Sequence, residues 1–423
     1  MTRDNIFIYP ADPCWKRLLD ANKIKDYLSK NGYKLVDKPN DAETIIIVTC
    51  AFLAYTTELA LKKITDFKQY NAEIIVAGCL PDINKEDLSK IFNGETLKTK
   101  ELDEKIEVLF PPKNNVRFKD IADANSLYET PNGAGNVDHI KKILYKIKFL
   151  KIIPKEINKF IFTHLTKDKR VGYFLTQEHF HIRISEGCMG NCSYCGIKKA
   201  IGKYRSKPLQ DCIKEFERGL SKGYKNFILD SSDVGIYGID INSSFPEILN
   251  ELTKKPGDYK ITLREVHPRW VVKYIDELEK ILKKNKILIF DLSLQSMNKR
   301  ILQLMNRYSD VKKIKDAIRR LMNATEDVFF TCQFIICFPT EKREEFQETL
   351  DSILEMNFNG GQLFLFSCKK DTEAEKIEPK IPEKEMIERL EYSKEFLRKN
   401  GYYVKYIYSH ENKAFGLDFV KKG

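Results

Sequence analysis

The 423-residue chain has no apolar run near the ~20 residues of a membrane span, and its longest apolar stretches are strand-sized. Its opening, MTRDNIFIYPADPC, lacks the apolar core and small-residue cleavage site of an export signal. A membrane or secreted placement is therefore not expected. Cysteine is scarce, with ten residues or about 2% of the chain against the ~8–10% of a disulfide scaffold. Reduced thiols in a cytoplasmic protein are the expectation. No low-complexity tract and no repeat beyond a β-α unit occur, which sets aside solenoids and disordered arrays. What is present, 31% charged and 42% apolar residues, describes a globular protein of two or three domains. The net charge of +11 suggests an anionic partner without identifying one.

Three β-branched apolar runs, NIFIYP (5–10), ETIIIVTC (43–50) and EIIVAGC (73–79), open the chain with helical patterns between them. Strands apolar throughout, in β-α-β-α-β order, predict a parallel sheet covered by helices within 1–125. Residues 126–180 differ. They begin with the turn-rich TPNGAGN, and 136–170 hold ten Lys and Arg against three Asp and Glu. Ile140, Leu144, Ile147 and Leu150 fall at helical spacing, so a basic amphipathic connector is expected there.

From 181 the alternation resumes six times. The strand candidates are FHIRISE (180–186), KNFILD (225–230), YKITLREV (259–266), ILIFDLSLQ (287–295), VFFTCQFIICF (328–338) and QLFLFS (362–367). Six β-α units predict a partial (β/α)6 barrel over 181–375, with functional residues at the carboxyl ends of its strands. The fold class is thus α/β, an amino-terminal parallel-sheet domain followed by a partial barrel. A charged helix and a short tail complete 376–423.

SEGCMGNCSYCG follows the first barrel strand and places Cys188, Cys192 and Cys195 in C-x3-C-x2-C spacing. Three thiolates on one loop cannot close a four-ligand zinc site, but they can hold a four-iron cluster with one iron open. A zinc site completed by a distant Cys or His is the competing reading. Tyr194, between the last two thiols, can face a bound adenine or simply pack.

This loop resembles the signature of the radical S-adenosylmethionine superfamily. Further along, EGCMGNCSYCGIKKAIGKYRSKP, LDSSDVGIYG, LSLQSMNKRILQLMNRYS, FIICFPTEKREEFQETL and LFLFSCKKDTEAEK are similar, in order, to motifs of its methylthiotransferase branch. The resemblance implies two [4Fe–4S] clusters, S-adenosyl-L-methionine, and conversion of an unactivated C–H to C–S–CH3 through a 5′-deoxyadenosyl radical. It implies that Cys188, Cys192 and Cys195 hold the cluster that binds S-adenosylmethionine. Cys14, Cys50 and Cys79, at the carboxyl edge of the amino-terminal sheet, would hold the second, sulfur-carrying cluster; otherwise they are small core residues. Cys212, Cys332, Cys337 and Cys368 are expected to be packing residues.

Around the cofactor, the strand-end residues Asp230, Ser231, Ser232 and Asp233 are expected contacts, with Arg264 and His267, Gln295 and Ser296. Arg307 is the expected carboxylate partner. Each has a plain alternative, since strand-end polar groups often cap the next helix. A flavodoxin- or ferredoxin-like reductant is implied as a partner.

Three departures from the family stand out. Asp12-Pro13 precedes Cys14, and Val48-Thr49 precedes Cys50, where the family has Gly and Asn-Thr. The family's Phe-Pro-Gly-Glu-Thr is here Phe338-Pro339-Thr340-Glu341-Lys342. Members acting on tRNA or ribosomal protein carry a carboxyl-terminal TRAM barrel of about 50–70 residues. Only 23 residues follow position 400, so no TRAM domain is expected. A peptide or protein side chain, including a ribosomally made precursor peptide, is the favoured substrate. tRNA adenosine is the alternative, as is a single-cluster peptide-modifying enzyme.

Overall fold

The computed structural model describes residues 3–127, 168–170, 174, 178–408 and 413–422. The expected basic connector at 136–170 lies outside the described residues except for its last three. All ten cysteines are free thiols. No helix among the described residues is long and apolar enough to cross a membrane. The chain divides into two compact units, one within Met1–Lys148 plus Gly196–Gly202, the other within Phe149–Cys195 and Lys203–Gly423.

The first unit is a parallel sheet of β1 (Asn5–Ala11), β2 (Lys34–Leu35), β3 (Thr44–Thr49), β4 (Glu73–Gly78) and β5 (Thr96–Lys98), in the order β2-β1-β3-β4-β5. The three predicted strands form its centre, and β2 and β5 are short additions at its edges. Every residue of β3 is buried, because helices cover both faces. Ile46 and Val48 meet Ile24, Tyr27 and Leu28 of helix Trp15–Lys30. Ile45 and Ile47 meet Ala60, Ile64 and Phe67 of helix Ala54–Phe67. At about 1.5–3 kcal/mol per fully buried aliphatic side chain, this two-sided burial fixes β3 as the middle strand.

The segment Gly196–Gly202 belongs to this unit rather than to the barrel expected over 181–375. Its Ala200 is fully buried with Ile47, Ala60 and Leu80, and the Lys100 ammonium donates to the Lys199 carbonyl at 3.2 Å.

In the second unit, β6 (His179–Arg183) leads into a small antiparallel pair, β7 (Ser185–Glu186) with β8 (Arg205–Ser206). Then come β9 (Asn226–Asp230), β10 (Lys260–Val266), β11 (Ile287–Gln295), β12 (Phe329–Ile336) and β13 (Gly360–Leu365). β6 and β9 to β13 are the six parallel strands of the partial barrel, each paired with the next. One face of this sheet is apolar. Phe180, Leu229, Leu263, Phe290 and Phe334 pack there against Phe216, Leu249, Ile318 and Leu350 of the helices.

The residues expected as a short tail instead form β14 (Tyr402–Tyr408) and β15 (Ala414–Lys421) after helix Glu383–Lys399. β15 pairs antiparallel with β13, and β14 with β15, giving an eight-stranded sheet. Tyr402, Leu417 and Phe419 enter the same core. Close approach needs Gly416, whose added Cβ would lie 2.5 Å from the Leu363 carbonyl oxygen. The tail carries no two-residue Asn-Gly or Asp-Gly turn, so its sequence gave little warning of a hairpin.

Candidate functional site

In the first unit, parallel register aligns Ala11 with Thr49 and Thr49 with Gly78. Cys50 and Cys79 follow the last two directly, and Cys14 ends the short loop after β1. Gly78 makes this possible. Its φ is +102°, and a Cβ there would sit 2.2 Å from the Thr49 carbonyl oxygen. The Cys14–Cys50 thiol contact, with the Arg17 charge, draws Cys14 down to about 6, and the same contact together with burial pushes Cys50 well above the usual range. Cys79 is raised by burial against the pull of Arg17. The three thiols therefore share one electrostatic neighbourhood.

In the second unit, the β7–β8 pair brackets the cysteine loop. The Gly190 N–H donates to Cys188 Sγ at 3.2 Å. The Arg307 guanidinium donates to Cys192 Sγ at 3.5 Å and to the Tyr194 hydroxyl at 3.2 Å. It also bonds the Ser293 carbonyl. Burial raises the Cys188 thiol, with the Asp233, Cys195 and Cys192 charges adding to it. Among the described residues no three His, Cys, Asp or Glu side chains converge tightly enough to share one metal ion. Thiols that bind different irons of a cluster need not. Three soft donors beside a buried guanidinium suit an anionic iron–sulfur group.

The expected cofactor contacts separate into two groups. Arg307 and Asp233 lie beside the loop, which itself carries Tyr194. Asp233 is buried and takes hydrogen bonds from Gly235 N–H (3.1 Å), His267 N–H (3.4 Å) and Trp270 Nε1–H (2.8 Å). Burial raises its carboxyl. His267 lies within reach of the Arg307 and Arg269 charges, and burial drops its imidazole well below the usual range. Its Nδ1 accepts the Arg269 N–H at 3.2 Å, so it caps helix Pro268–Lys273. Its buried Nε2 has no hydrogen-bond partner among the described residues.

The other residues are engaged in the scaffold. Ser231 Oγ contacts Ser185 Oγ at 2.6 Å, and Ser232 is half-buried beside it. Ser296 Oγ accepts the Asn298 N–H (3.1 Å) and contacts Thr349. Asp230 bonds His181 Nδ1 at 2.6 Å. Arg264 faces Asp291, whose carboxyl burial raises while Arg264 opposes that rise. Gln295 ends β11 in a left-handed conformation, φ +71°. Of the remaining cysteines, Cys212, Cys332 and Cys337 are buried as expected, whereas Cys368 is exposed after β13.

A polar row escaped the sequence reading. On the sheet face turned away from the apolar core, Asp291 accepts from the Gln333 amide at 2.7 Å and from the Thr331 hydroxyl at 2.8 Å. Gln333 stands opposite Gln362. Gln362 donates to Asp418 at 2.8 Å, and Asp418 pairs with Lys405 at 3.5 Å. The signal was the alternation in FHIRISE, ILIFDLSLQ and VFFTCQF, where every second residue turns polar.

The Radical SAM superfamily pattern matches residues 182–353, and that of Uncharacterized protein family UPF0004 matches 13–97. The chain is 28% identical over 397 residues to the "Ribosomal protein uS12 methylthiotransferase RimO" of Chlamydia pneumoniae, covering 92% of this chain and 76% of that protein. It is 27% identical over 395 residues to the "Probable threonylcarbamoyladenosine tRNA methylthiotransferase" of Methanocaldococcus jannaschii, covering 92% and 83%. In fold it is similar to the radical S-adenosylmethionine methyltransferase TsrM from Kitasatospora setae, solved with cobalamin and a [4Fe–4S] cluster. The TM-score is 0.60 at 12% identity, covering 100% of this chain and 88% of that one.

Proposed function

From the premise that this chain belongs to the radical S-adenosylmethionine methylthiotransferase family, we propose that Cys188, Cys192 and Cys195 hold one [4Fe–4S] cluster and Cys14, Cys50 and Cys79 the other. The observation that carries this is the placement of two three-thiol groups, each at the carboxyl side of strands in a parallel sheet. When bound, the two clusters and S-adenosylmethionine supply the electron, the hydrogen-abstracting radical, the sulfur and the methyl group. The protein's own residues bind and orient. Arg307, held by Ser293 and Tyr194, offers a fixed guanidinium to the cofactor carboxylate. Asp233 presents a buried negative charge for the cofactor's ammonium, and His267 adds a neutral ring beside them.

For the substrate, the reading is a peptide or protein side chain. Lys405, Asp418, Gln362, Gln333, Asp291 and Arg264 make a charge-balanced row carrying two primary amides. Amides pair with the donors and acceptors of polypeptide, whereas phosphate binding calls for net positive charge. The proposed reductant is a flavodoxin- or ferredoxin-like protein.

Anaerobic reconstitution tests the cluster assignment. About eight irons per chain support two four-iron clusters, and about four sink the second. Turnover with purified uS12 and with bulk tRNA, read by mass for one SCH3-for-H replacement, tests the substrate. A product on tRNA alone overturns the peptide reading.

A further inference from the structure

Helix Trp15–Lys30 begins directly after Cys14, and its first turn carries Arg17. This arginine is only 6% exposed, unusual for a side chain that seldom leaves water without a partner. Its guanidinium pairs with Asp20 at 2.9 Å. The same nitrogen donates to the Thr99 hydroxyl, which lies 3.7 Å from Cys79 Sγ. A hydroxyl oxygen that accepts from a cation has its own proton left to donate. The nearest sulfur acceptor to it is Cys79. Arg17 also lies one helical turn from Cys14, its backbone N–H donating to the Cys14 carbonyl at 3.0 Å, so its positive charge falls in the neighbourhood of that thiol. One residue therefore reaches two of the three thiols, by charge and through one relayed hydrogen bond.

Pairing with buried Asp20 accounts for the charge of Arg17, and the added bond to Thr99 carries that charge toward the sulfur-bearing edge of the sheet. Hydrogen bonds to cluster sulfurs and nearby charge are two of the means by which a protein sets a cluster's potential. Both favour the more negative, reduced state.

We propose that Arg17, acting through Thr99 on Cys79 and directly on Cys14, is a positioning residue that raises the reduction potential of the amino-terminal cluster. The inference rests on the two-cluster reading and deepens it. It makes that cluster easier to reduce than its three thiolates alone would allow, and so better able to keep an anionic sulfur ligand beside the guanidinium.

The test uses the full chain carrying Cys188→Ala, Cys192→Ala and Cys195→Ala, so that only the amino-terminal cluster is read. After anaerobic reconstitution, iron is counted and the midpoint potential is measured by redox titration followed by EPR. Arg17→Gln is expected to lower the reduction equilibrium about tenfold or more, which is 59 mV for one electron. Thr99→Val, which keeps volume and removes only the hydroxyl, is expected to shift it in the same direction by less. Thr99→Ser is expected to restore the parent value. If Arg17→Gln does not hold iron because Asp20 is left buried and unpaired, Thr99→Val decides. Full iron with an unmoved midpoint in Thr99→Val and, where it loads, in Arg17→Gln overturns the relay alone. Absence of any four-iron cluster in the triple-alanine background overturns the two-cluster reading, and the relay with it.

Discussion

The loop after β12 is held by a buried ion pair whose loss should be measurable. The Glu341 side chain is 0% exposed and Arg389 4%, with Nη1 and Oε2 3.1 Å apart. Arg389 also donates to the Glu341 carbonyl at 3.0 Å and to Glu385 at 2.7 Å. The Cys337 N–H donates to Glu341 at 2.7 Å. Replacing Arg389 by Met leaves the buried carboxylate with one backbone donor and the like charge of Glu345 nearby. Breaking a buried pair from one side costs about 3–5 kcal/mol. At about 2–4 °C per kcal/mol for a unit of this size, the expected fall in Tm is roughly 10 °C.

The pH dependence adds a second constraint. Burial lifts the Glu341 carboxyl to about 7, against the pull of the Cys337 N–H and Arg389. A raised pKa means that the folded state holds the proton more tightly than the unfolded chain. This residue's contribution to stability therefore declines as pH rises from the ordinary glutamate range to about 7. The cost of Arg389→Met should be largest at pH 8, where Glu341 is charged, and smaller by about 1–2 kcal/mol at pH 6, where it takes a proton. Urea unfolding followed by circular dichroism at both pH values reads this directly. The double variant Glu341→Leu, Arg389→Met should recover most of the loss. A cost under about 1 kcal/mol at pH 8, or a larger cost at pH 6, would refute the reasoning.

Three further perturbations follow from the same geometry. Thr340, at φ +67°, occupies the position where the family has glycine. Relief of about 1–2 kcal/mol of left-handed strain, less the 3.1 Å hydrogen bond from the half-exposed Arg300, makes Thr340→Gly stabilising by about 0.5–1 kcal/mol in urea titrations. Gly78→Ala drives a methyl into the Thr49 carbonyl at a left-handed position. It should destabilise the first unit by about 3 kcal/mol and lower reconstituted iron from about eight to about four per chain. Arg307→Met removes a charged donor worth about 1.5–3 kcal/mol, so the Kd for S-adenosylmethionine in equilibrium dialysis should rise roughly 10- to 150-fold.

Much of the candidate site was legible because three thiols on one short loop concentrate their information. Cys188, Cys192 and Cys195 lie within eight consecutive residues, and the β-α alternation around them places the loop at a strand end without coordinates. Arg307 was legible through its motif. The strand-end residues were not equally informative. Asp233 lies beside the loop and His267 bonds to Asp233, yet both also cap helices, while Ser296 is engaged with Thr349. A polar residue at a strand end reads the same in either role.

The sequence by itself determined the β-α order of the main strands and the single loop carrying Cys188, Cys192 and Cys195, because hydrophobic period and close spacing are local properties of the chain. The class of chemistry was legible through the resemblance of its motifs. Tertiary structure decided what depends on residues far apart. Arg17 meets Thr99 across 82 positions, and Gln362 meets Asp418 across 56. The closing hairpin becomes part of the barrel sheet only because Gly361 and Gly416 let three strands approach. Scarce cysteine and the absence of a membrane span bounded the protein's class. Which thiols stand together, and which buried charges face them, was set by parallel register and the packing of helices on the sheet.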